Sequence, residues 1–558
     1  MTAKNAGFGL PSLSVSGLAV AALVASLLTF VGTGVTPADA ASGGGGADFN
    51  GDGFDDLVIG APGDNVSGKA NGGSVNVIYG SAGGVSTNGA RLDQVLSQNS
   101  TGVGEVVEAN DEFGAALAIA DFNSDGYEDL AIGVPGESVS GKNSAGAVNV
   151  IYGSPTGLKA SGGNRRDQLW TQDTAGIDGG SQTNGRFGVA LTVGDFNDDD
   201  RDDLAIGATG ATVSGLANAG AVHIIYATAD GLSASVKPDQ VWSQNVPRVS
   251  GVAETNGMFG ASLAAGDLNN DSADDLIVGA PNMTVSGQAR AGAVNVIYGS
   301  AAEGLSVSAA RNDQYFTQDT SRVGGVAQVD DQFGASVASG DLNNDGFFEL
   351  IVGVASEQVG TSADAGAVHI LYGSDQGASA ARTRSDQLFS QNSRRVQEIA
   401  EASDRFGSSV STGDFNGDNY DDLIVGASSE NLGAANGAGG VHVIYGSRSG
   451  ASSTAERRDQ FWEQDVGGIN DANEAGDNLG WSVGAGDFNN DGHDDLIAGA
   501  PGESIAGRAQ AGSVHVIYGH PTGLSATATR PDQAWNRAVA RVEGAPGTND
   551  NFGRAIAG

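Results

Sequence analysis

The sequence predicts an all-β protein: a seven-bladed β-propeller of four-stranded antiparallel blades, its ring closed by the C-terminal strand. Three observations lead there. The tripeptide D-(F/L)-N begins at Asp48, Asp121, Asp195, Asp267, Asp341, Asp414 and Asp487, spaced 72–74 residues apart, which suits one four-stranded blade per repeat. Each unit contains four short segments, apolar or alternating and bounded by Gly, Asn, Asp or Ser, and no run of helical period. The segment that precedes D-F-N in the later units is missing before Asp48 and reappears as Phe552–Gly558. A ring closed by that segment leaves few exposed strand edges.

The second unit shows each element in order. Strand A starts at Phe113-Gly114 and runs through AALAIAD; strand B is DLAIGVP, strand C AVNVIYG and strand D DQLWTQ. Fifteen residues separate the Gly of strand B from the first Val of strand C in every unit, as from Gly60 to Val75. The A–B and D–A connections are equally constant, and length varies only between strands C and D. In a meander, A–B and C–D loops share one face, and B–C and D–A loops share the other. The second face is therefore built of long loops without insertions.

Ahead of the repeats, residues 1–40 read as a secretory signal peptide. Lys4 is the only charge before Asp39, an apolar run extends from Leu13 to about Val31, and Ala38-Asp39-Ala40 offers an A-x-A cleavage site. Residues 41–47 form a Gly-rich linker, and 48–558 the propeller. The expected localisation is secreted, with cleavage near Ala40 and no membrane span in the mature chain. Acidic residues number 67 against 27 basic, a formal charge of −40, which repels nucleic acid. Without Cys there is no disulfide framework, thiol chemistry or thiolate metal site.

Each A–B loop reads D-x-N-x-D-x-x-x-(D/E), a pattern that places oxygens around one hard cation. Side chains at positions 1, 3, 5 and 9 and the carbonyl of position 7 are the candidate ligands. The first loop contributes Asp48, Asn50, Asp52, Phe54 and Asp56; the second Asp121, Asn123, Asp125, Tyr127 and Asp129; the third Asp195, Asn197, Asp199, Arg201 and Asp203. The fourth has Asp267, Asn269, Asp271, Ala273 and Asp275, and the fifth Asp341, Asn343, Asp345, Phe347 and Glu349. The sixth has Asp414, Asn416, Asp418, Tyr420 and Asp422, and the seventh Asp487, Asn489, Asp491, His493 and Asp495. Three carboxylates and an amide suit Ca²⁺ better than Mg²⁺, and no Cys or His cluster favours a transition metal. The expected cofactor is Ca²⁺, up to seven ions, returning 7 × 2 = 14 positive charges to a chain carrying −40. Position 6 is Gly in four loops and Asp200, Ser272 and Asn419 in the others. If it requires positive φ, Ser272 is the least suited and loop four the weakest site.

An F-G pair, D-x-N-x-D-G-x-x-D-L and then G-A-P (Gly60-Ala61-Pro62, Gly279-Ala280-Pro281, Gly499-Ala500-Pro501) resembles the FG-GAP repeat of the integrin α-subunit head over residues 48–558. The repeats are also similar to those in the propeller of phosphatidylinositol-glycan-specific phospholipase D. The resemblance implies a seven-bladed propeller with calcium in the A–B loops and ligand contacts on the opposite face. Gly207-Ala208-Thr209, Gly353-Val354-Ala355 and Gly426-Ala427-Ser428 lack the Pro, and Leu479 replaces the Phe. Integrin heads carry calcium loops in only some units, whereas all seven have one here.

Catalytic signals are few. His223, His369, His442 and His515 share one strand-C position with Asn76, Asn149 and Asn295. That ring reads as a hydrogen-bonding slot, with a metal or proton-relay role as the other reading. Gly480-Trp481-Ser482-Val483-Gly484 matches G-x-S-x-G but lies in strand A, where the strand-to-helix turn of a hydrolase is lacking. Trp170, Trp242, Trp462 and Trp535 recur in strand D as blade packing. The expected function is a secreted calcium-binding, non-catalytic adhesion module, monomeric, for an extracellular protein or glycan ligand. The alternatives are an extracellular hydrolase, the accessory propeller of one, or a structural envelope protein.

Overall fold

The computed structural model describes residues 46–558 apart from 88–92, 162–166, 302, 308–311, 380–385, 454–458, 467, 470 and 528–530. The expected signal peptide and residues 41–45 of the expected linker lie outside the described residues.

Twenty-eight strands form seven antiparallel sheets of four, and no helix occurs among the described residues. The second blade consists of Ala116–Ala120, Asp129–Val134, Ala147–Ile151 and Gln168–Trp170, paired in chain order. Its register sets Leu117 opposite Ile132, Ile132 opposite Asn149, and Asn149 opposite Leu169. Strand D is only three residues long in every blade, shorter than its six-residue motif. Strand A reaches back to the F-G pair only as Phe187–Gly194 and Phe406–Gly413, both with a β-bulge after the Phe. Elsewhere it starts at the third residue after the Phe, or at Ala555.

The inner strands A–C are apolar on both faces because neighbouring blades cover both. Val58, Leu117 and Leu191, from three successive blades, belong to one core cluster. The strands A touch in sequence around the ring, and the last, Ala555–Ala557, touches the first, Ala116–Ala120. Ala555–Ala557 is also the inner strand of the first blade. It pairs antiparallel with Leu57–Ala61, Val58 opposite Ala557 and Gly60 opposite Ala555. The ring therefore closes as the end segments predict.

The F-G pair clasps blade to blade. Phe113 is fully buried and its N–H donates to the Gly72 carbonyl of the preceding blade. The carbonyl of the following Gly then lies against the strand-B Gly of that preceding blade. A Cβ on Gly133 would stand 2.1 Å from the Gly188 oxygen, and the same approach recurs at Gly60, Gly207, Gly279, Gly353, Gly426 and Gly499. This explains why that Gly persists where the Pro of G-A-P does not. Gly133→Ala is expected to destabilise the protein by roughly 1–3 kcal/mol through overpacking, read as a lower urea midpoint. An unchanged midpoint would refute the close approach.

Candidate metal centres

Every A–B loop is wound around its first Asp. Asp48 Oδ1 accepts the N–H groups of Asn50, Gly51 and Asp52 at 3.3, 2.7 and 3.1 Å, and Oδ2 that of Gly53 at 2.7 Å. The pattern recurs, for instance, at Asp195, Asp414 and Asp487. The turn takes left-handed backbone at position 6 in all seven loops, including Asp200 (φ 62°), Ser272 (φ 78°) and Asn419 (φ 63°). Position 4 is left-handed too, as at Gly51 (φ 70°) and Ser124 (φ 53°), a requirement the sequence pattern did not reveal. Ser272 carries the strain expected of a non-Gly, non-Asx residue there.

The carboxylate at position 9 opens strand B and is buried. Asp56 Oδ1 accepts Gly80 N–H at 2.9 Å, and Oδ2 accepts Phe49 N–H at 3.1 Å. Glu349, longer by a methylene, reaches the matching donors, Leu342 at 2.9 Å and Gly373 at 3.4 Å. In every loop the position-3 Asn donates its Nδ2 to this carboxylate, from Asn197 to Asp203 at 2.7 Å up to Asn50 to Asp56 at 3.4 Å. The amide oxygen is left on the other side. Asn50, Asn123, Asn269, Asn343 and Asn416 each keep Oδ1 buried without a hydrogen-bond partner. A cation among positions 1, 3, 5 and 9 would satisfy that oxygen, so the residues present fit Ca²⁺. Burial, aided by Asp48 and Asp52, pushes Asp56 up to about 8. It likewise pushes Glu349 and Asp495 to about 8 and holds Asp129, Asp203, Asp275 and Asp422 well above the usual carboxylate range.

Position 5 holds position 7 in place: Asp52 Oδ1 accepts Phe54 N–H at 3.3 Å, and Asp125 Oδ1 that of Tyr127 at 3.2 Å. The same bond links Ala273 to Asp271, Phe347 to Asp345, and Tyr420 to Asp418. Two loops differ. Arg201 brings its guanidinium to 3.6 Å from Asp199, and His493 Nδ1 lies 3.3 Å from Asp491. In loop three a resident cation thus competes at position 5.

Position 8 was not singled out in the sequence, although it is acidic in six units. In six of the seven loops its backbone N–H ties the loop to the preceding one. Asp274 donates its N–H to the Asp195 carbonyl and accepts Asp195 N–H, both at 2.9 Å. Asp421 and Asp494 do the same with Asp341 and Asp414, and Asp55 with Asp487 joins the first loop to the seventh. Phe348 interrupts the acids while keeping the backbone bond to Asp267. Burial raises Asp55 and Asp274 to about 7.

The other residues noted in the sequence have plain settings. Ser482 is fully buried and donates to the Gly553 carbonyl at 2.8 Å, as Ser262, Ser336 and Ser409 do to Gly334, Gly407 and Gly480. The four Trp are buried at the ends of strands D. The Asn/His slot is hydrogen-bonded to the Asp before strand D, as in Asn295–Asp313 (2.7 Å) and His515–Asp532 (2.9 Å).

Comparison with known proteins identifies the repeat. The FG-GAP repeat model matches seven segments: residues 40–78, 113–151, 187–225, 259–297, 333–371, 406–444 and 479–517. Phosphatidylinositol-glycan-specific phospholipase D of Bos taurus is 38% identical over 168 residues, covering 30% of this chain and 18% of its own length. Integrin alpha-PS2 of Drosophila melanogaster is 31% identical over 240 residues, covering 42% of this chain and 14% of its own. The chain thus matches less than a fifth of the length of either relative. Among solved structures, Bacillus licheniformis rhamnogalacturonan lyase PL11 aligns with 94% of the chain at 10% identity and a TM-score of 0.31, too loose a fit to carry an argument.

Proposed function

Because the chain belongs to the FG-GAP repeat family, we propose that it is a secreted, calcium-stiffened propeller that binds an extracellular protein or glycan without catalysing a reaction on it. The leader is removed near Ala40, residues 41–47 act as a linker, and residues 48–558 work as a monomer. The A–B loops hold Ca²⁺ through positions 1, 3, 5, 7 and 9, and ligand meets the face of the B–C and D–A loops.

One observation carries the binding reading. Val106, Val252, Val326 and Ile399 occupy the same position of four D–A loops and are 71, 70, 66 and 70 % exposed. Aliphatic side chains repeatedly held in water on one face suit a contact surface, and repeated weak contacts add up to avidity. The test is a pull-down from the native cell surface with the mature chain, with and without chelator. A variant with all four residues changed to Ser should lose capture while keeping its melting temperature. Capture indifferent to both changes would defeat the proposal, as would an esterase or phosphodiesterase activity abolished by Ser482→Ala. The phospholipase D likeness favours one second reading, an accessory propeller. Recovery of a separate catalytic chain in the pull-down would support it.

A further inference from the structure

The face away from the A–B loops conceals a second set of carboxylates that the reading above does not use. At each junction a residue following strand D reaches into the next blade. It is Gln at six junctions and Arg537 at the seventh. Three chemistries occur at this one seat.

Entering blade one, Arg537 is buried between two acids, with Nη1 at 2.8 Å from Asp64 and 3.5 Å from Asp550. Its Nε and Nη2 donate to Asn76 Oδ1 at 3.3 and 3.1 Å. Entering blades three and four, the acids are replaced by Gly185 with Ala211 and Gly257 with Met283. There the Gln amide meets the strand-C slot directly: Gln172 Nε2 to His223 Nε2 at 3.1 Å, and Gln244 Nε2 to Asn295 Oδ1 at 3.3 Å. At these three seats the strand-C atom has a partner, although the Oε1 atoms of Gln172 and Gln244 stay buried without one.

The seats entering blades two, five, six and seven differ. The acid pair is present as Asp111/Glu137, Asp331/Glu357, Asp404/Glu430 and Asp477/Glu503, but the third member is a neutral Gln. Its amide turns to the Glu, as from Gln464 to Glu503 at 2.9 Å. The Gln Oε1 is buried without a partner here as at the two neutral seats, and what further sets these four apart lies in strand C. At these four seats alone the free end of the strand-C slot is also buried without a partner: Asn149 Oδ1 and the Nε2 atoms of His369, His442 and His515.

The imidazoles are set as ligands. Asp386, Asp459 and Asp532 lie 3.1, 3.0 and 2.9 Å from Nδ1 of the three His. A carboxylate accepting the Nδ1 proton leaves a lone pair on Nε2 and commonly backs a metal-bound His. At the seats entering blades two and seven the oxygen sets converge as well. Ligand atoms of Glu108, Asp111 and Glu137, and of Glu474, Asp477 and Glu503, all lie within 4.8 Å of one another. Glu108 and Glu474 are exposed, so both seats open to solvent.

We propose that these four seats are a second tier of divalent-cation sites, where an ion does what the Arg537 guanidinium does in blade one. Both carboxylates and the Gln oxygen would hold it, with Asn149 oxygen in blade two and imidazole nitrogen in blades five to seven. Mixed oxygen and single-imidazole ligation suits Mn²⁺ as a probe.

The test is anomalous diffraction from crystals of the mature chain grown with MnCl₂, together with titration calorimetry of the wild type, Gln464→Arg and Glu503→Gln. Peaks are expected at the four seats and none beside Ala211, Met283 or Arg537. Both variants should bind one Mn²⁺ fewer. Gln464→Arg should also melt above the wild type in EDTA, because it carries its own cation. Empty seats in crystals whose A–B loops hold Mn²⁺ would overturn the proposal and leave proton-sharing acid pairs, as would an unchanged stoichiometry in both variants. Filled seats beside empty A–B loops would uphold it and defeat the calcium-loop reading instead.

Discussion

Removing calcium from the mature chain is expected to lower its melting temperature by about 10–20 °C. A site of extracellular type binds with Kd of about 10⁻⁴ to 10⁻³ M. With Ca²⁺ at ten to a hundred times Kd, each site stabilises the fold by about 1.4–2.7 kcal/mol. Seven such sites supply roughly 10–19 kcal/mol. The unfolding entropy of a chain this long is on the order of 1 kcal/mol/K, which sets the shift. The effect should depend on pH with a definite sign. Asp56, Glu349 and Asp495 titrate near 8 in the calcium-free fold, against about 4 when unfolded. The folded state therefore binds more protons between those values, and without calcium its stability falls as pH rises from about 4 to 8. Calcium favours the ionised carboxylates and should be most stabilising at the upper end. Scanning calorimetry in EDTA and in Ca²⁺ at pH 5 and pH 8 measures both effects. A melting point insensitive to chelation at pH 8 would defeat the assignment of the loops.

Deleting residues 552–558 is expected to abolish the folded monomer. The segment contributes Phe552 and Ile556, both fully buried, and the strand that covers the inner edge of Leu57–Ala61. Losing a core Phe and a core Ile costs about 3–5 and 2–5 kcal/mol, together comparable with the whole stability of a typical domain. The uncovered strand edge would also be free to pair between molecules. Size-exclusion chromatography should show aggregates, and circular dichroism the loss of a cooperative transition. A truncated chain that melts within about 2 °C of the full one would disprove the closure.

The fold was legible because its signals repeat. Asp48 and its six counterparts marked the hairpins, Gly60 to Val75 marked a constant loop, and Phe552-Gly553 marked a strand without a blade. The Asn/His slot was legible as a hydrogen-bonding position, but its surroundings were not. The junction beside it joins Asp111 and Glu137, 26 residues apart in sequence, to Gln98 of the previous blade. The acid pair is also absent from blades three and four, so Asp111 and Glu137 look like ordinary loop charges. Position 8 was hidden for the opposite reason. Asp55 and Asp274 stand beside stronger candidates, and only the packing of adjacent hairpins shows that they join neighbours.

The pairing of Ala555–Ala557 with Val58–Gly60 also bears on biosynthesis. The other six blades can each assemble from fewer than eighty contiguous residues, in the order in which they leave the ribosome. The first cannot, because its innermost strand is translated about five hundred residues after the one it must join. Until then the nascent polypeptide is an open arc with an unpaired edge, vulnerable to proteases and to sticking to other chains. Locking the arc into a circle is a long-range search, and it should set the pace at which newly made molecules mature.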